Sequence, residues 1–221
     1  MPAARIPTAS LEIEKQYNAQ GYKRIAGIDE AGRGAWAGPV VAGAVVLPPD
    51  TGTLSKTLYG ARDSKTMTPH TREKLSATIQ STAAAWGVGS ASVAEIAAIG
   101  IAPATKLAMR RALLDMTTRA CHIWPDLLFI DYIRLENAPV ACPQVVQPRF
   151  DSHSLTVACA SIIAKHWRDS HMAELDARYP GYGFARHKGY GTSAHVAALD
   201  LLGACDQHRM NFAPLIQRRL L

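Results

Sequence analysis

Short apolar runs punctuate the chain, and each is long enough for one β-strand. Residues 24–29 (RIAGID) and 39–47 (PVVAGAVVL) are rich in Ile, Val and small residues, and the glycines between them predict two strands joined by a turn. AWGVGSASV at 85–93 predicts a third strand, and QVVQ at 144–147 is short and strand-like. DLLFID at 126–131 predicts a buried strand that presents its final acid at its C-terminal end.

Apolar positions at helical spacing occupy much of the remaining chain. Thr68 followed by Pro69 is a good helix start, because threonine caps a helix and proline fits its first turn. Residues 48–65 and 179–192 have the composition of turns and loops. The predicted helices cover residues 11–20, a segment from 69 onward, 103–119, 152–178 and 193–202, the last ended by Gly203. Strands mixed with covering helices indicate an α/β architecture around a mixed sheet.

Composition narrows the class of protein. With 221 residues and 48% hydrophobic side chains, the chain can bury a core of its own. No apolar run approaches the ~20 residues that cross a bilayer, and the N-terminus lacks a secretory signal, so we expect a cytoplasmic protein without membrane contact. Four scattered cysteines indicate reduced thiols. The net charge of +6, with a dense basic set at 185–191, is compatible with a polyanionic partner.

Four acids stand where predicted elements end. Asp29 and Glu30 are consecutive, and a regular strand would point them to opposite faces, so we expect the strand to end or bend there. Asp131 ends an apolar run, where a charge requires a partner or a metal. Asp151 precedes the long helix, where an ordinary N-cap is the alternative; a solvated turn is the alternative for the acidic pair. Together the four acids could build a two-metal site for phosphodiester cleavage, with Mg²⁺ or Mn²⁺ as hard divalent ions.

A glycine-rich turn, Gly32–Arg33–Gly34, follows the first two acids directly. Glycine lets the backbone approach a sugar or phosphate closely, and Arg33 offers a fork of donors. The glycines at 32, 34 and 38 are spaced one residue too long for a dinucleotide fingerprint, and a strand follows instead of a helix. A nucleotide-cofactor site is therefore disfavoured here.

These motifs carry a resemblance to a known family. The blocks are GIDEAGRGAWAGPVVAGAVVL, DSKTMTPHTREKL, ASVAEIAAIGIAPATKLAMRRAL, DSHSLTVACASIIAKHWRD, YPGYGFARHKGYGTSAHVAAL and HRMNFAP, in this order over nearly the whole chain. The sequence resembles bacterial ribonuclease HII, the type 2 ribonuclease H. The resemblance implies a ribonuclease H-like fold, a central mixed sheet flanked by helices with a small C-terminal helical appendage. We accordingly predict an N-terminal extension with a short helix (1–20), a catalytic domain (21–192) and the appendage (193–221).

The resemblance also implies the activity. It predicts an endonuclease that hydrolyses the RNA strand of RNA–DNA hybrids and cuts 5′ to ribonucleotides embedded in duplex DNA, by two-metal catalysis that leaves 5′-phosphate and 3′-hydroxyl ends. The expected roles are removal of such ribonucleotides and of RNA primers, by a monomer. Two alternatives stay open: a non-catalytic nucleic-acid-binding protein and a general metal-dependent DNA nuclease.

By resemblance, each candidate residue has a role. The metal ligands and catalytic residues are Asp29, Glu30, Asp131 and Asp151; the substrate-binding residues are Gly32, Arg33, Gly34, Lys65 and Tyr190. The turn would sense the ribose 2′-hydroxyl, Tyr190 would pack on the next sugar, and Lys65 would lie near the backbone phosphate. Tyr179 and Tyr182 are predicted to be packing residues. The chain departs from the family pattern at Ala35, at Trp36 and at His153, which replaces a lysine.

The histidines and Asp169 are assigned structural roles. The eight histidines form no motif, and we expect each to lie at the surface. Asp151 and Asp169 would be ~27 Å apart on an unbroken helix, so one metal centre cannot hold both. Asp169 lies four residues after Lys165, the spacing of a helical ion pair, and Asp151 is therefore the predicted ligand.

Overall fold

A five-stranded mixed sheet forms the centre of the computed structural model, which describes residues 9–50, 52–61, 64–120 and 123–219. The strands are β1 (Ile25–Ala31), β2 (Val40–Val46), β3 (Ala85–Ala91), β4 (Leu127–Asp131) and β5 (Gln144–Gln147). Their spatial order is β3-β2-β1-β4-β5. The first three strands are antiparallel neighbours, whereas β4 runs parallel to both β1 and β5. The predicted mixed sheet and α/β class are confirmed.

Helices cover both faces of this sheet. They are α1 (Glu12–Ala19), α2 (Leu54–Thr57), α3 (Pro69–Thr82), α4 (Val93–Ile99), α5 (Ile101–Arg119), α6 (Leu155–Arg178), α7 (Phe184–His187), α8 (Ser193–Leu202) and α9 (Ala213–Arg219), with 3-10 turns at Ser64–Thr66 and Phe150–Ser152. Helix α5 packs on one face, with Met109, Leu113 and Met116 in its core, and α6 with α3 packs on the other.

The sequence pattern placed the long helices well and missed the short ones. Thr68 caps α3 by accepting a hydrogen bond from the Thr71 amide, as predicted. Helices α2 and α7 lie in segments predicted as turn and loop, and α4 follows the strand predicted at 85–93 in a segment for which no element was predicted; four to seven residues carry too little periodicity to detect. The long helix predicted from 152 begins at Leu155, since the Ser154 side chain caps it.

Strand glycines allow the helices to approach the sheet closely. A Cβ on Gly27 would lie 2.5 Å from the Thr156 carbonyl carbon, and one on Gly43 would lie 2.3 Å from the Ala160 carbonyl oxygen. Both neighbours are backbone atoms of α6, which cannot move aside as a side chain can. The β1–β2 surface under α6 therefore requires glycine at these two positions.

The N-terminal helix is fastened to the start of α6. Glu14 is buried, and its Oε1 accepts hydrogen bonds from Ser154 Oγ (2.6 Å) and from the Thr156 amide (3.0 Å). The predicted short helix in the N-terminal extension is thus α1, whereas residues 1–8 lie outside the described residues. The predicted boundaries after residues 20 and 192 stay predictions.

The outer edge of the sheet is closed by side chains of α5. Strand β3 is an edge strand, and its Val88 amide donates to Asp115 Oδ2 (2.9 Å). Its Ser90 carbonyl accepts from Arg111 Nη1 (2.7 Å). Two of the backbone groups that an edge strand would present to another chain are therefore occupied.

The described residues also bear on the thiol and membrane expectations. Cys142, Cys159 and Cys205 are free thiols, and Cys121 lies outside the described residues. Among the residues that the structure covers, no helix is both long and apolar enough to cross a membrane.

Replacing Gly43 by alanine is expected to lower the free energy of unfolding by about 1–3 kcal/mol or more, because the new methyl group overlaps the backbone of α6. Urea unfolding followed by circular dichroism measures this change. Gly34→Ala is the matched control, since a Cβ there meets nothing within 4 Å and its φ is not left-handed. Equal stability of the two variants would contradict the proposed packing constraint.

Candidate active site

Strand β1 ends one residue after the two consecutive acids, close to the strand end that was expected there. Strand β1 continues to Ala31, and Asp29 and Glu30 pair with Gly43 and Ala42 of β2. The pairing with β4 stops earlier, at Ile28. The neighbouring strand therefore ends beside the acids, which leaves room for their carboxylates at this edge.

Asp131 and Asp151 lie at the same edge of the sheet, at the end of β4 and in the 3-10 turn that follows β5. Asp131 is the last residue of β4, and its Oδ1 accepts a hydrogen bond from the Phe150 amide (2.8 Å). That bond holds the 3-10 turn carrying Asp151, which is buried. The N-cap alternative for Asp151 is wrong, because Ser154 caps α6 by accepting from the Val157 amide.

Electrostatic coupling shows how closely these acids are grouped. Burial raises the pKa of Asp29 well above its usual range, and repulsion from Glu30, Asp131 and Asp151 raises it further, whereas a hydrogen bond with Ser161 opposes the shift. Burial also raises the pKa of Glu30, as does Asp131. Four carboxyl groups thus share one low-dielectric site in which their negative charges oppose one another.

Cationic side chains offset part of this charge. Arg33 lies 3.8 Å from Glu30 Oε1, and Arg33 and Lys65 both lower the pKa of Glu30. Lys65 is exposed, in the 3-10 turn Ser64–Thr66, and Ser64 Oγ lies 2.9 Å from Ser161 Oγ on α6. The turn that carries Lys65 is therefore tied to the same helix that contacts Asp29.

The donor set fits a hard divalent cation in its chemistry. Glu30 Oε2 is buried and has no hydrogen-bond partner among the described residues. A cation would satisfy this oxygen and relieve the repulsion that raises the pKa of Asp29. Within the described part of the chain, no three His, Cys, Asp or Glu side chains already stand in an arrangement that could hold a metal ion.

The glycine-rich turn has a fixed shape. Gly32 has φ +87°, and a Cβ there would lie 1.8 Å from Arg168 Nε. Gly34 is exposed, with no atom within 4 Å of its missing Cβ. Arg33 lies over the Tyr132 ring at 4.8 Å. One glycine is therefore required by the fold, and the other leaves open space at the surface.

Arg168 joins this turn to the loop that carries Tyr190. It is fully buried, and its guanidinium donates to the carbonyls of Ala37 (3.1 Å), Pro39 (3.0 Å) and Lys188 (2.9 Å). Three such bonds satisfy a buried charge that would otherwise be costly.

Arg209 makes a second link from the C-terminal segment. Also fully buried, it donates to the carbonyls of Gly38 (2.9 Å) and Arg33 (3.0 Å). Burial lowers the pKa of Arg209 to about 9, and the nearby Arg168 contributes to the shift. The carbonyl of the turn residue Arg33 is thus held by a residue 176 positions later in the chain.

The Tyr190 loop packs directly on the residues after the turn. The Gly189 carbonyl accepts from the amides of Trp36 (2.8 Å) and Ala37 (3.2 Å). A Cβ on Gly191 would lie 2.1 Å from the Trp36 ring. Trp36, one of the departures from the family pattern, therefore contacts both glycines that flank Tyr190, Gly189 through its amide and Gly191 through its ring.

The Tyr190 ring lies between the loop and two cations of α6. Lys165 Nζ is 5.7 Å and the Arg168 guanidinium carbon 5.5 Å from its centroid. Lys165 also pairs with Asp169 at 2.5 Å, which confirms the helical ion pair, and Arg72 binds the same carboxylate at 2.9 Å. Asp169 thus has two structural partners.

Comparison with known proteins identifies the family. A sequence profile described as "Ribonuclease HII" matches residues 26–215. A ribonuclease HII of Thermus thermophilus is 48% identical over 196 residues, which cover 89% of each chain. The chain belongs to the ribonuclease HII family.

Solved structures agree with this family at the level of the fold. The ribonuclease H2 of Pyrococcus horikoshii OT3 superposes with a TM-score of 0.72 at 24% identity, covering 88% of this chain and 96% of the other. A Bst ribonuclease HIII in complex with Mn²⁺ gives a TM-score of 0.66 at 19% identity, covering 90% and 70%. The predicted ribonuclease H-like fold is confirmed. Membership of the ribonuclease HII family makes the chain a hydrolase, an endonuclease acting on RNA.

Sequence reasoning missed several residues that shape this ribonuclease HII site. Arg168 and Arg209 gave no signal, because an isolated arginine in a helix or loop is usually exposed. The expectation of surface histidines is wrong for His187, His195 and His208, which are buried together behind Tyr190. Their spacing of 8 and 13 residues along a loop and a helix matches no metal motif. Tyr182 is buried against Phe184, as expected for a packing residue.

Asp29→Asn is expected to stabilise the metal-free protein at neutral pH, by on the order of 2–4 °C in Tm for each kcal/mol of repulsion removed. Because the folded state raises the pKa of Asp29, it holds this proton more tightly than the unfolded chain. The acid therefore lowers stability increasingly as the pH rises above about 4, and the difference between wild type and variant should vanish below that pH.

Thermal unfolding in a chelator between pH 4 and 8 measures this difference. Glu73→Gln, which removes one exposed carboxylate on α3, is the control for net charge. An Asp29→Asn protein that is no more stable than wild type at pH 7 would contradict the predicted repulsion.

Proposed function

We propose that the chain cleaves the RNA strand of RNA–DNA hybrids and cuts on the 5′ side of a ribonucleotide embedded in duplex DNA. The observation that carries this proposal is the continuity of β1 with the glycine turn. Glu30 and Gly32 are two residues apart, so a group that reads the sugar stands at a fixed distance from the carboxylates. Cleavage would then fall at a fixed position relative to the sugar that is read.

Four carboxylates are the proposed metal ligands: Asp29, Glu30, Asp131 and Asp151. The support is their shared burial, the repulsion that raises the pKa of Asp29, and the unpartnered buried Oε2 of Glu30. The related structure with Mn²⁺ supports a divalent ion, Mn²⁺ or Mg²⁺. Bound there, divalent ions would activate the attacking water and stabilise the leaving 3′ oxygen, which gives 5′-phosphate and 3′-hydroxyl ends.

The substrate contacts are proposed from exposure and charge. Gly34 leaves open space in which its backbone can meet a 2′-hydroxyl, and Arg33 lies beside it. Tyr190 is half-buried and is held by the loop described above, so that its ring can pack on the next sugar. Lys65 is exposed near Glu30 and can meet a phosphate. His153, exposed beside the Asp151 turn, would offer that phosphate a weaker contact than the usual lysine.

Two observations argue against the alternatives. Membership of an enzyme family argues against a non-catalytic binding protein. A general DNA nuclease would have no use for a sugar-reading turn locked to the Tyr190 loop by Arg168 and Arg209. Removal of embedded ribonucleotides and RNA primers by a cytoplasmic monomer remains the proposed role.

The first test uses duplex DNA with a single ribonucleotide, in Mg²⁺ and in Mn²⁺, beside an all-DNA duplex of the same sequence. We expect one cut on the 5′ side of the ribonucleotide and no cut in the all-DNA duplex. Gly34→Ala should lower the cleavage rate at unchanged stability, since it adds a methyl group where the backbone would approach the sugar. Equal cleavage of both duplexes would refute the proposal.

The second test separates Asp151 from Asp169. Asp151→Asn should nearly abolish single-turnover cleavage at saturating metal while the protein stays folded. Asp169→Asn should mainly cost stability, about 3–5 kcal/mol if Arg72 and Lys165 behave as a buried pair that loses its partner. Thermal unfolding of both variants accompanies the kinetics. An inactive but stable Asp169→Asn beside an active Asp151→Asn would reverse the assignment.

A further inference from the structure

Three histidines form a buried cluster behind the Tyr190 loop. His195 of α8 is fully buried, His208 is 2% exposed and His187 is 8% exposed. The rings of His187 and His195 stack at 4.3 Å between centroids, with an angle of 14° between their planes. Phe184 packs on the cluster from α7. Burial lowers the pKa of His208, a hydrogen bond with the Cys205 backbone opposes the shift, and the nearby His187 lowers the pKa further, so the neutral form is favoured.

Hydrogen bonds connect two of these rings into a chain that ends on Tyr190. His195 Nδ1 lies 3.0 Å from the Tyr190 carbonyl oxygen, and His195 Nε2 lies 3.0 Å from His208 Nε2. His208 Nδ1 lies 2.9 Å from the Cys205 amide nitrogen. His208 Nδ1 also lies 3.2 Å from both Sγ and the carbonyl oxygen of Cys205. Whether this nitrogen donates or accepts therefore follows from the other hydrogen bonds of the series.

The Tyr190 carbonyl determines which nitrogen of each histidine ring donates and which accepts. A carbonyl oxygen can only accept, so Nδ1 of His195 carries the hydrogen. Nε2 of a neutral His195 is then an acceptor, and Nε2 of His208 must donate to it. Nδ1 of a neutral His208 is therefore an acceptor, which the Cys205 amide satisfies. This assignment takes the 2.9 Å contact with the Cys205 amide as the hydrogen bond of His208 Nδ1, and it excludes donation from Nδ1 to the Cys205 carbonyl at 3.2 Å.

We propose that His195 and His208 are positioning residues that hold the Tyr190 backbone through this directed chain of hydrogen bonds. The catalytic consequence rests on the function proposed above for Tyr190. The Tyr190 carbonyl accepts one further bond, from the Thr192 amide at 2.8 Å, so both of its lone pairs are used. A loop residue held in this way has little freedom to shift along the substrate.

The same C-terminal segment also holds the residues after the glycine turn. The Gly38 amide donates to the Gln207 carbonyl (2.8 Å), and the Arg209 amide donates to the Trp36 carbonyl (2.8 Å). Residues 205–209 therefore hydrogen-bond directly to the residues after the glycine turn. They are also connected to the Tyr190 carbonyl, through His208 and His195. The histidine chain is thus one of several links between the residues after the turn and the Tyr190 loop, beside Arg168 and the bonds to the Gly189 carbonyl.

The tautomers are tested without any substrate. The full-length protein, labelled with ¹⁵N-histidine, is expected to show His195 protonated on Nδ1 and His208 on Nε2 at neutral pH, with signals assigned by His195→Asn and His208→Gln. His195 protonated on Nε2, or His208 on Nδ1, would overturn the proposed chain. This outcome does not depend on whether the protein cleaves at a ribonucleotide, so the two proposals can fail separately.

The catalytic consequence is tested by two substitutions of one residue. His208→Phe keeps a ring against Tyr182 and Phe184 but removes both nitrogens, and we expect about a tenfold lower kcat on a duplex with one ribonucleotide, with KM little changed and cuts spread to adjacent linkages. His208→Gln keeps a donor for His195 and should restore most of the rate. Tyr182→Phe, which removes a different buried hydrogen bond of the same cluster, is the control.

Coupling to Tyr190 decides between positioning and general stability. If His208 acts through Tyr190, the double variant His208→Phe with Tyr190→Ala should be no slower than Tyr190→Ala alone. A folded His208→Phe protein with wild-type rate and cut position would overturn the proposal. So would equal losses for the Phe and Gln variants, or fully additive losses in the double variant. Thermal unfolding confirms that each variant is folded at the assay temperature.

Discussion

Backbone-to-backbone contact between α6 and the strands β1 and β2 fixes the position of nearly every group at the site. The absence of side chains at Gly27 and Gly43 lets α6 lie directly on the sheet. Its first turn follows the segment that carries Asp151, its middle brings Ser161 to Asp29, and its later turns supply Lys165 and Arg168. Because α6 is rigid and lies close to the sheet, the sequence spacing of these residues determines how far apart they lie across the site.

Charge is distributed around this helix in two opposed groups. Four carboxylates gather at the end of β4, where burial and repulsion raise the pKa of Asp29, and two buried arginines stand behind the glycine turn. Carbonyl oxygens accept the hydrogen bonds of both arginines, those of Pro39 and Ala37 for Arg168 and those of Gly38 and Arg33 for Arg209. The two arginines thereby hold the segment after the glycine turn, and Arg168 joins it to the Tyr190 loop.

Local patterns in the sequence were enough for the sheet and the long helices. Apolar runs such as 126–131 and the cap Thr68 depend on nearby residues alone, and they were placed correctly. The resemblance supplied the candidate residues, and two contacts that hold them came only from the structure. Strand β1 pairs with β2 through Asp29 and Glu30 after its pairing with β4 has stopped, and Asp131 binds the Phe150 amide in the turn that carries Asp151; both contacts join residues that are distant in the sequence. Arg168 and Arg209 bond to carbonyls far away in the sequence, and His195 meets His208 13 positions later, so residue type alone carries no information about such partners.

The side chains that close the edge of β3 have a consequence for the protein in concentrated solution. Asp115 and Arg111 belong to α5, so they shield the edge only while this helix is packed on Gly87 and Gly89 of β3. Undocking the helix would uncover apolar surface and free the strand edge in the same event. Loss of helix packing and self-association through strand pairing are therefore coupled in this molecule. A substitution at Gly87 or Gly89 that displaces α5 would promote aggregation.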